Sequence, residues 1–226
     1  MYYDWTWILV IPGLVLGLWA QMRVSRAYEK YAKITTRQGV SADQVARDIL
    51  SRSGNGTISV NSISGNLTDN FDPRDRVVRL SDGVYGCKSI AAIGIAAHEC
   101  GHAIQAGSEY GLFMLRSAIV PVVNIGSKLY FPIFMAGMIF SWEPLMDAGI
   151  LCFGLIFLFS LVTLPVELNA SKRAVAVLQE GGYVTGEEIK GVKAVLSAAA
   201  WTYVASAVSS LFQMLRLMLI SRNRRD

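Results

Sequence analysis

Charge is what this sequence has least of. Only 17% of its 226 residues are Asp, Glu, Lys or Arg, 53% are apolar, and the mean hydropathy is +0.39. Soluble domains carry charge on roughly a quarter of their residues, so the composition argues against a fully soluble enzyme and for a chain embedded in a membrane. The balance of 21 Lys+Arg against 17 Asp+Glu leaves +4, too little and too dispersed for nucleic acid. Cysteine is sparse as well. Cys87, Cys100 and Cys152 form no CxxC pair and leave one thiol over, which excludes a disulfide framework. Histidine is scarcest, with two in the whole chain.

What is abundant is apolar residues in long blocks. Residues 5–20 carry no charge and read as a first span. No Lys or Arg precedes them and no A-x-A-like site follows, which argues against a signal peptide. Arg23, Arg26, Lys30, Lys33 and Arg37 come next, and the positive-inside rule places residue 23 onward in the cytoplasm. From about 22 to 112 the composition is mixed. Ser41 to Gln44 is a capping-box start for a short helix that Gly54 ends. Residues 57–65 and 76–80 read as two strands of a β-hairpin joined through the turn-rich 65–75. Residues 89–106 form an apolar helix stopped by Gly107.

Two more apolar blocks, 117–140 and 145–164, make a helical hairpin whose acidic loop lies outside. Lys128 interrupts the first arm and either snorkels or faces a polar interior. Pro165 then opens a helix that Gly181 ends. A last helix runs from about 186 to 220, and its apolar part, 194–220, is long enough to span. Lys190 and Lys193 before it and Arg216, Arg222, Arg224 and Arg225 at its end pull in opposite directions, so spanning and interfacial placements both stay open.

The two histidines enclose the chemistry. His98-Glu99-Cys100-Gly101-His102 reads HExxH. On a helix, positions i and i+4 share a face, so both imidazoles can hold one zinc while Glu99 reaches the water that the metal activates. Scattered at random, two histidines would give this arrangement on the order of 3 times in 10,000. Cys100 falls on the far side of the helix and reads as packing. A third ligand is needed, and with no third histidine the metzincin pattern is excluded: Gln105 and Ser108 stand where that pattern needs Gly and His. The acidic candidates are Glu109, Glu143, Asp147, Glu167, Glu180, Glu187 and Glu188. Glu109 lies past the end of the zinc helix, Glu143 and Asp147 lie in the outer loop, and Glu180, Glu187 and Glu188 suit solvated or capping roles. Glu167 stands in the first turn of its helix, on the same membrane side as the histidines, and is the favoured ligand, with helix capping as its bland role.

These residues resemble the YugP-type membrane zinc metallopeptidases. The likeness runs through AYEKYAKI, GNLTDNFDP, VVRLSDGVY, AAHECGHAIQ and VELNASKRA. It implies a membrane-bound zinc peptidase distantly similar to the HtpX and CAAX-prenyl-protease group of gluzincins. By position it makes His98, His102 and Glu167 the metal ligands and Glu99 the catalytic acid/base. Two departures stand out. Ser171 occupies the place four residues after the ligand Glu where HtpX-like enzymes typically have Asp. The family's D-H-Y-D-P appears here as Asp69-Asn70-Phe71-Asp72-Pro73.

The resulting expectation is a mainly α, multi-span membrane protein with a small α+β zincin-like catalytic domain carrying a β-hairpin. Residues 1–22 would be the anchor, 23–112 the cytoplasm-facing catalytic region, 113–164 the transmembrane hairpin, and 165–226 the third-ligand and C-terminal apolar helices. The activity would be zinc-dependent peptide hydrolysis with one Zn²⁺ per chain, at the cell membrane, on peptides or membrane proteins and without nucleic acid. Arg173, Tyr183 and Tyr203, with Arg173 first, are candidate donors to the oxyanion, and strand 76–80 could pair with an extended substrate by its edge. Two alternatives remain. One is a site-2-like intramembrane protease with Asp147 as the available acid, and the other is a metal-stabilised scaffold without turnover.

Overall fold

The computed structural model describes residues 5–223. A 3₁₀ turn, Trp5–Leu9, leads into α1 (Val10–Tyr31), followed by α2 (Ala42–Arg52), β1 (Ser59–Ile63), β2 (Asn70–Asp72), β3 (Val77–Ser81), α3 (Ile90–Gly107), α4 (Gly111–Ile139), α5 (Glu143–Glu180) and α6 (Glu187–Arg222). The chain is therefore mainly helical with one small sheet. Among the described residues, four helical segments are long and apolar enough to cross a membrane: Thr6–Tyr31, Gly111–Ile139, Glu143–Glu180 and Glu187–Arg222.

The helices divide between two compact units, one of 1–21, 115–165 and 201–226 and one of 22–114 and 166–200. In the first, helices approach where side chains are small. A Cβ on Gly13 would lie 2.8 Å from the Ser209 Cα, and one on Gly149 would lie 2.9 Å from the Phe134 Cα. Ser160 and Ser210 share a hydroxyl hydrogen bond of 2.9 Å, and Trp19 meets Trp201 edge to face. Such contacts suit helices in lipid, where close approach and buried polar pairs replace the hydrophobic drive. Ile8, Ile11, Leu14, Val15 and Leu18 stay exposed, as side chains facing acyl chains would.

The second unit has an ordinary core. Val45, Leu50, Val78, Leu80, Ile93, Leu178 and Val192 pack α2, the sheet, α3 and the adjoining parts of α5 and α6 together. Gln44 accepts from the Ser41 amide at 3.4 Å where α2 starts, and Ser89 accepts from the Ala92 amide at 3.2 Å where α3 starts.

Two expectations need correction. The strands read at 57–65 and 76–80 are present as β1 and β3, but they pair in parallel, Val60 opposite Val78, so no hairpin joins them. The segment read as their turn contains β2, which pairs antiparallel with β3 and takes one edge in the order β1-β3-β2. That leaves 76–80 in the centre, where neither edge is free for a substrate. Pro165, expected to begin a helix, lies inside α5, which continues unbroken from Glu143 to Glu180. A proline costs the helix one hydrogen bond and a steric strain, yet α5 runs on through it with Thr163 buried before it and Val166 and Ala170 buried after it.

A candidate metal centre on α3 and α5

Three side chains converge in the second unit. His98 and His102 project from one face of α3, and Glu167, 2% exposed, comes from α5. Glu167 Oε2 lies 3.1 Å from His98 Nε2 and 3.4 Å from His102 Nε2, and the three ligand atoms all fall within 4.8 Å of one another. Ligands held about 2.0–2.1 Å from Zn²⁺ at tetrahedral angles are about 3.3 Å apart. Two imidazoles and one carboxylate at these separations fit Zn²⁺, with a fourth position left over.

The close approach of α3 to α5 has a sequence cause. A Cβ on Gly101 would meet the Ala170 carbonyl oxygen at 2.5 Å, so this position of HExxH must be glycine for Glu167 to reach the histidines.

Behind His102 the hydrogen bonds fix its tautomer. Arg173 Nε, which can only donate, gives 2.8 Å to Asn169 Oδ1. That oxygen also accepts from Gln105 Nε2 at 2.9 Å, and the same amide nitrogen donates to the Val166 carbonyl at 2.8 Å. Gln105 must therefore present its oxygen to His102 Nδ1, 3.0 Å away, which makes Nδ1 the protonated nitrogen and leaves the Nε2 lone pair facing Glu167. On the other histidine, Ser171 Oγ lies 3.2 Å from His98 Nδ1. The hydroxyl of Ser171 thus occupies the place where a carboxylate partner was missing from the sequence. Gln105 carried no signal beyond its position, three residues after His102 on the same helix.

Glu99 is buried beside the cluster. Burial pushes its carboxyl up to about 7; the Glu167 charge adds to this, while His98 and a hydrogen bond from the Phe71 amide pull the other way. Cys100 is buried in the core with its thiol toward the Ala46 carbonyl, and burial raises it beyond reach of ionisation near neutrality.

The remaining candidates lie elsewhere. Glu188 accepts from the amides of Arg37 at 2.7 Å and Thr185 at 3.0 Å, Glu187 pairs with Lys190, and Glu180 borders a small cavity of about 220 Å³ with Arg52 and Tyr183. Tyr183 gives its hydroxyl to Asp48. Arg173 spends Nε on Asn169 and stacks over Tyr110. Tyr203, Glu143 and Asp147 belong to the other unit, where Asp147 borders a groove with Arg222. Glu109 sits at the end of α3 with a positive φ of 49°.

This chain is 44% identical over 218 residues to the "Putative membrane protease YugP" of Bacillus subtilis (strain 168), a match covering 96% of this chain and 97% of the relative. No solved structure matches. The profile of the family described as "Putative neutral zinc metallopeptidase" matches residues 6–222, and with the HExxH helix and its carboxylate partner in view, this chain belongs to that family.

Proposed function

We propose that the protein is a membrane-embedded zinc peptidase of gluzincin type, with His98, His102 and Glu167 as ligands of one Zn²⁺ and Glu99 as general base and acid. The observation that carries this reading is the convergence of those three ligand atoms from α3 and α5, with Glu99 buried next to His98 on α3. When bound, Zn²⁺ supplies a Lewis acid that acidifies water to a pKa of about 7 and polarises a scissile carbonyl.

The chain's own groups do the rest. Gln105 and Ser171 hold the imidazoles so that their Nε2 atoms face Glu167. The Phe71 amide on β2 favours the charged form of Glu99, against the effect of burial. Glu99, buried next to His98, takes a proton from the attacking water and returns it to the leaving amine. Phe71 belongs to β2, an edge strand of the sheet that packs against α3, so an extended peptide pairing with its free edge would lie near the helix that carries Glu99. This small sheet with a helix bearing the metal ligands supports a zincin-like description of the second unit. It also supports cleavage that reads backbone more than side chains.

The positive-inside pattern supports a location in the cell membrane with the site facing the cytoplasm, since most Lys and Arg lie in 22–114 and 166–200. Peptides or membrane proteins are the substrates this position favours.

The test uses two variants of the purified protein. Glu99→Ala retains close to one zinc per chain and loses peptide hydrolysis by at least about a hundredfold, whereas Glu167→Ala loses both metal and hydrolysis. Undiminished cleavage by Glu99→Ala removes the proposed base, and unchanged zinc content in Glu167→Ala removes the third ligand.

A further inference from the structure

Lys128 has no place in the chemistry above. It stands near the middle of the apolar stretch of α4, where Arg116 and Ile139 lie about 18 Å and 17 Å away along the helix axis. A lysine side chain reaches about 6 Å, and half the thickness of a hydrocarbon core is about 15 Å, so snorkelling does not bring its ammonium to water. Charges at such depth almost always turn into the bundle or a water-filled cavity. Lys128 does the opposite. It is exposed, and no side chain among the described residues pairs with it.

Its surroundings extend the anomaly into a seam. Ser117, Pro121, Asn124 and Lys128 follow one another at intervals of four, three and four, the spacing that keeps side chains on one line of a packed helix pair. Pro121, Asn124 and Lys128 are exposed, as is Pro132 further along the same line. Each proline also deprives a carbonyl one turn back of its helical donor, and those carbonyls belong to Ser117 and Lys128. The seam therefore offers an ammonium and a carboxamide to hydrocarbon beside two carbonyls that lack their usual helical donor, costly unless another helix covers them.

A second copy of this chain is a poor cover. Its apolar blocks hold no acid at mid-depth, Asp147 being at a loop end, and two copies packed about this seam would set Lys128 against Lys128. We propose that the exposed face of α4 from Ser117 to Pro132 docks a transmembrane helix of another membrane protein that carries an Asp or Glu near mid-bilayer opposite Lys128. The inference rests on α4 spanning the membrane and is independent of the peptidase chemistry.

The experiment uses the full-length, zinc-loaded protein in phosphatidylcholine vesicles, fluorescently labelled, with a labelled Leu/Ala transmembrane peptide of about 22 residues as probe. Energy transfer is expected to report association about tenfold tighter for a peptide with one central Asp than for its all-apolar twin. Lys128→Leu abolishes that preference, and Lys128→Asp transfers it to a peptide with a central Lys. Equal binding of the Asp and apolar peptides overturns the proposal, as does a preference that survives Lys128→Leu. Self-association of the protein that is lost in Lys128→Leu overturns it in favour of a homodimer. Labelling of Lys128→Cys, in a Cys87→Ser, Cys152→Ser background, by a membrane-impermeant maleimide overturns its premise, and this result leaves the peptidase reading untouched.

Discussion

At the scale of single residues, the candidate metal centre depends on groups beyond its three ligand atoms. Gln105 is fully buried and joins His102 to the backbone beside Glu167, so it sets both a tautomer and a distance. Gln105→Leu should weaken zinc binding roughly 10- to 100-fold, the usual cost of losing a partner of a ligand histidine, as read by competition with a chelator. Retained affinity would mean that α3 alone orients His102. Glu99 makes a separate prediction for the metal-free protein. Its carboxyl titrates near 7 when folded and near 4.5 when unfolded, so between those values the folded state holds a proton that the unfolded chain releases, and stability falls as pH rises. Glu99→Gln does not titrate. Its stability relative to the parent should therefore grow from pH 4.5 to 7, by an amount on the order of 3 kcal/mol, and then level off. Denaturation midpoints of the two metal-free proteins in detergent at pH 5 and 8 check this, and a constant gap would refute the burial of Glu99. The HExxH residues were legible in the sequence because their relation is local, four residues along one helix. Glu167 was legible from its side of the membrane and from the family likeness. Gln105 was not, because its partners Val166 and Asn169 lie more than sixty residues away and only the docking of α5 supplies them.

Elements show the same division between local and long-range information. Helix positions followed from apolar runs and caps, and β1 and β3 from their β-branched residues. Their direction of pairing did not follow, because the pattern of a strand is the same read either way. A three-residue strand of Asn, Phe and Asp is indistinguishable from turn composition until β3 pairs with it. Pro165 misled for a related reason, since its helix-breaking effect is local while the packing that outweighs it is not. The contact of α3 with α5 is the element-level feature most open to experiment. Gly101→Ala forces a methyl against the Ala170 carbonyl, and overpacking of this kind costs about 1–3 kcal/mol. The variant should show a lowered unfolding temperature together with reduced zinc content, because the same separation carries Glu167 away from the histidines. Lowered stability with full zinc occupancy would show that the ligand distances are set elsewhere.

On the scale of the whole molecule, the order of segments constrains topology before any membrane is drawn. The two stretches that build the unit with the His98–His102–Glu167 cluster, 22–114 and 166–200, are separated by two membrane-length helical segments, an even number, and so can fold together on one side of a bilayer. The helix whose placement the charges left open, 194–220, is continuous within α6 and meets the length and hydropathy of a span. If it crosses, Lys190 and Lys193 lie on one side of the bilayer and Arg222 on the other, against the positive-inside trend but outnumbered by the basic residues of 22–114. Single cysteines in a Cys87→Ser, Cys152→Ser background decide the matter. Those at Ser141 and Asn223 should react with an impermeant maleimide added to intact cells, and those at Lys33 and Glu180 only after permeabilisation. Reaction at Ser141 without reaction at Asn223 would place α6 in the interface, leaving three spans.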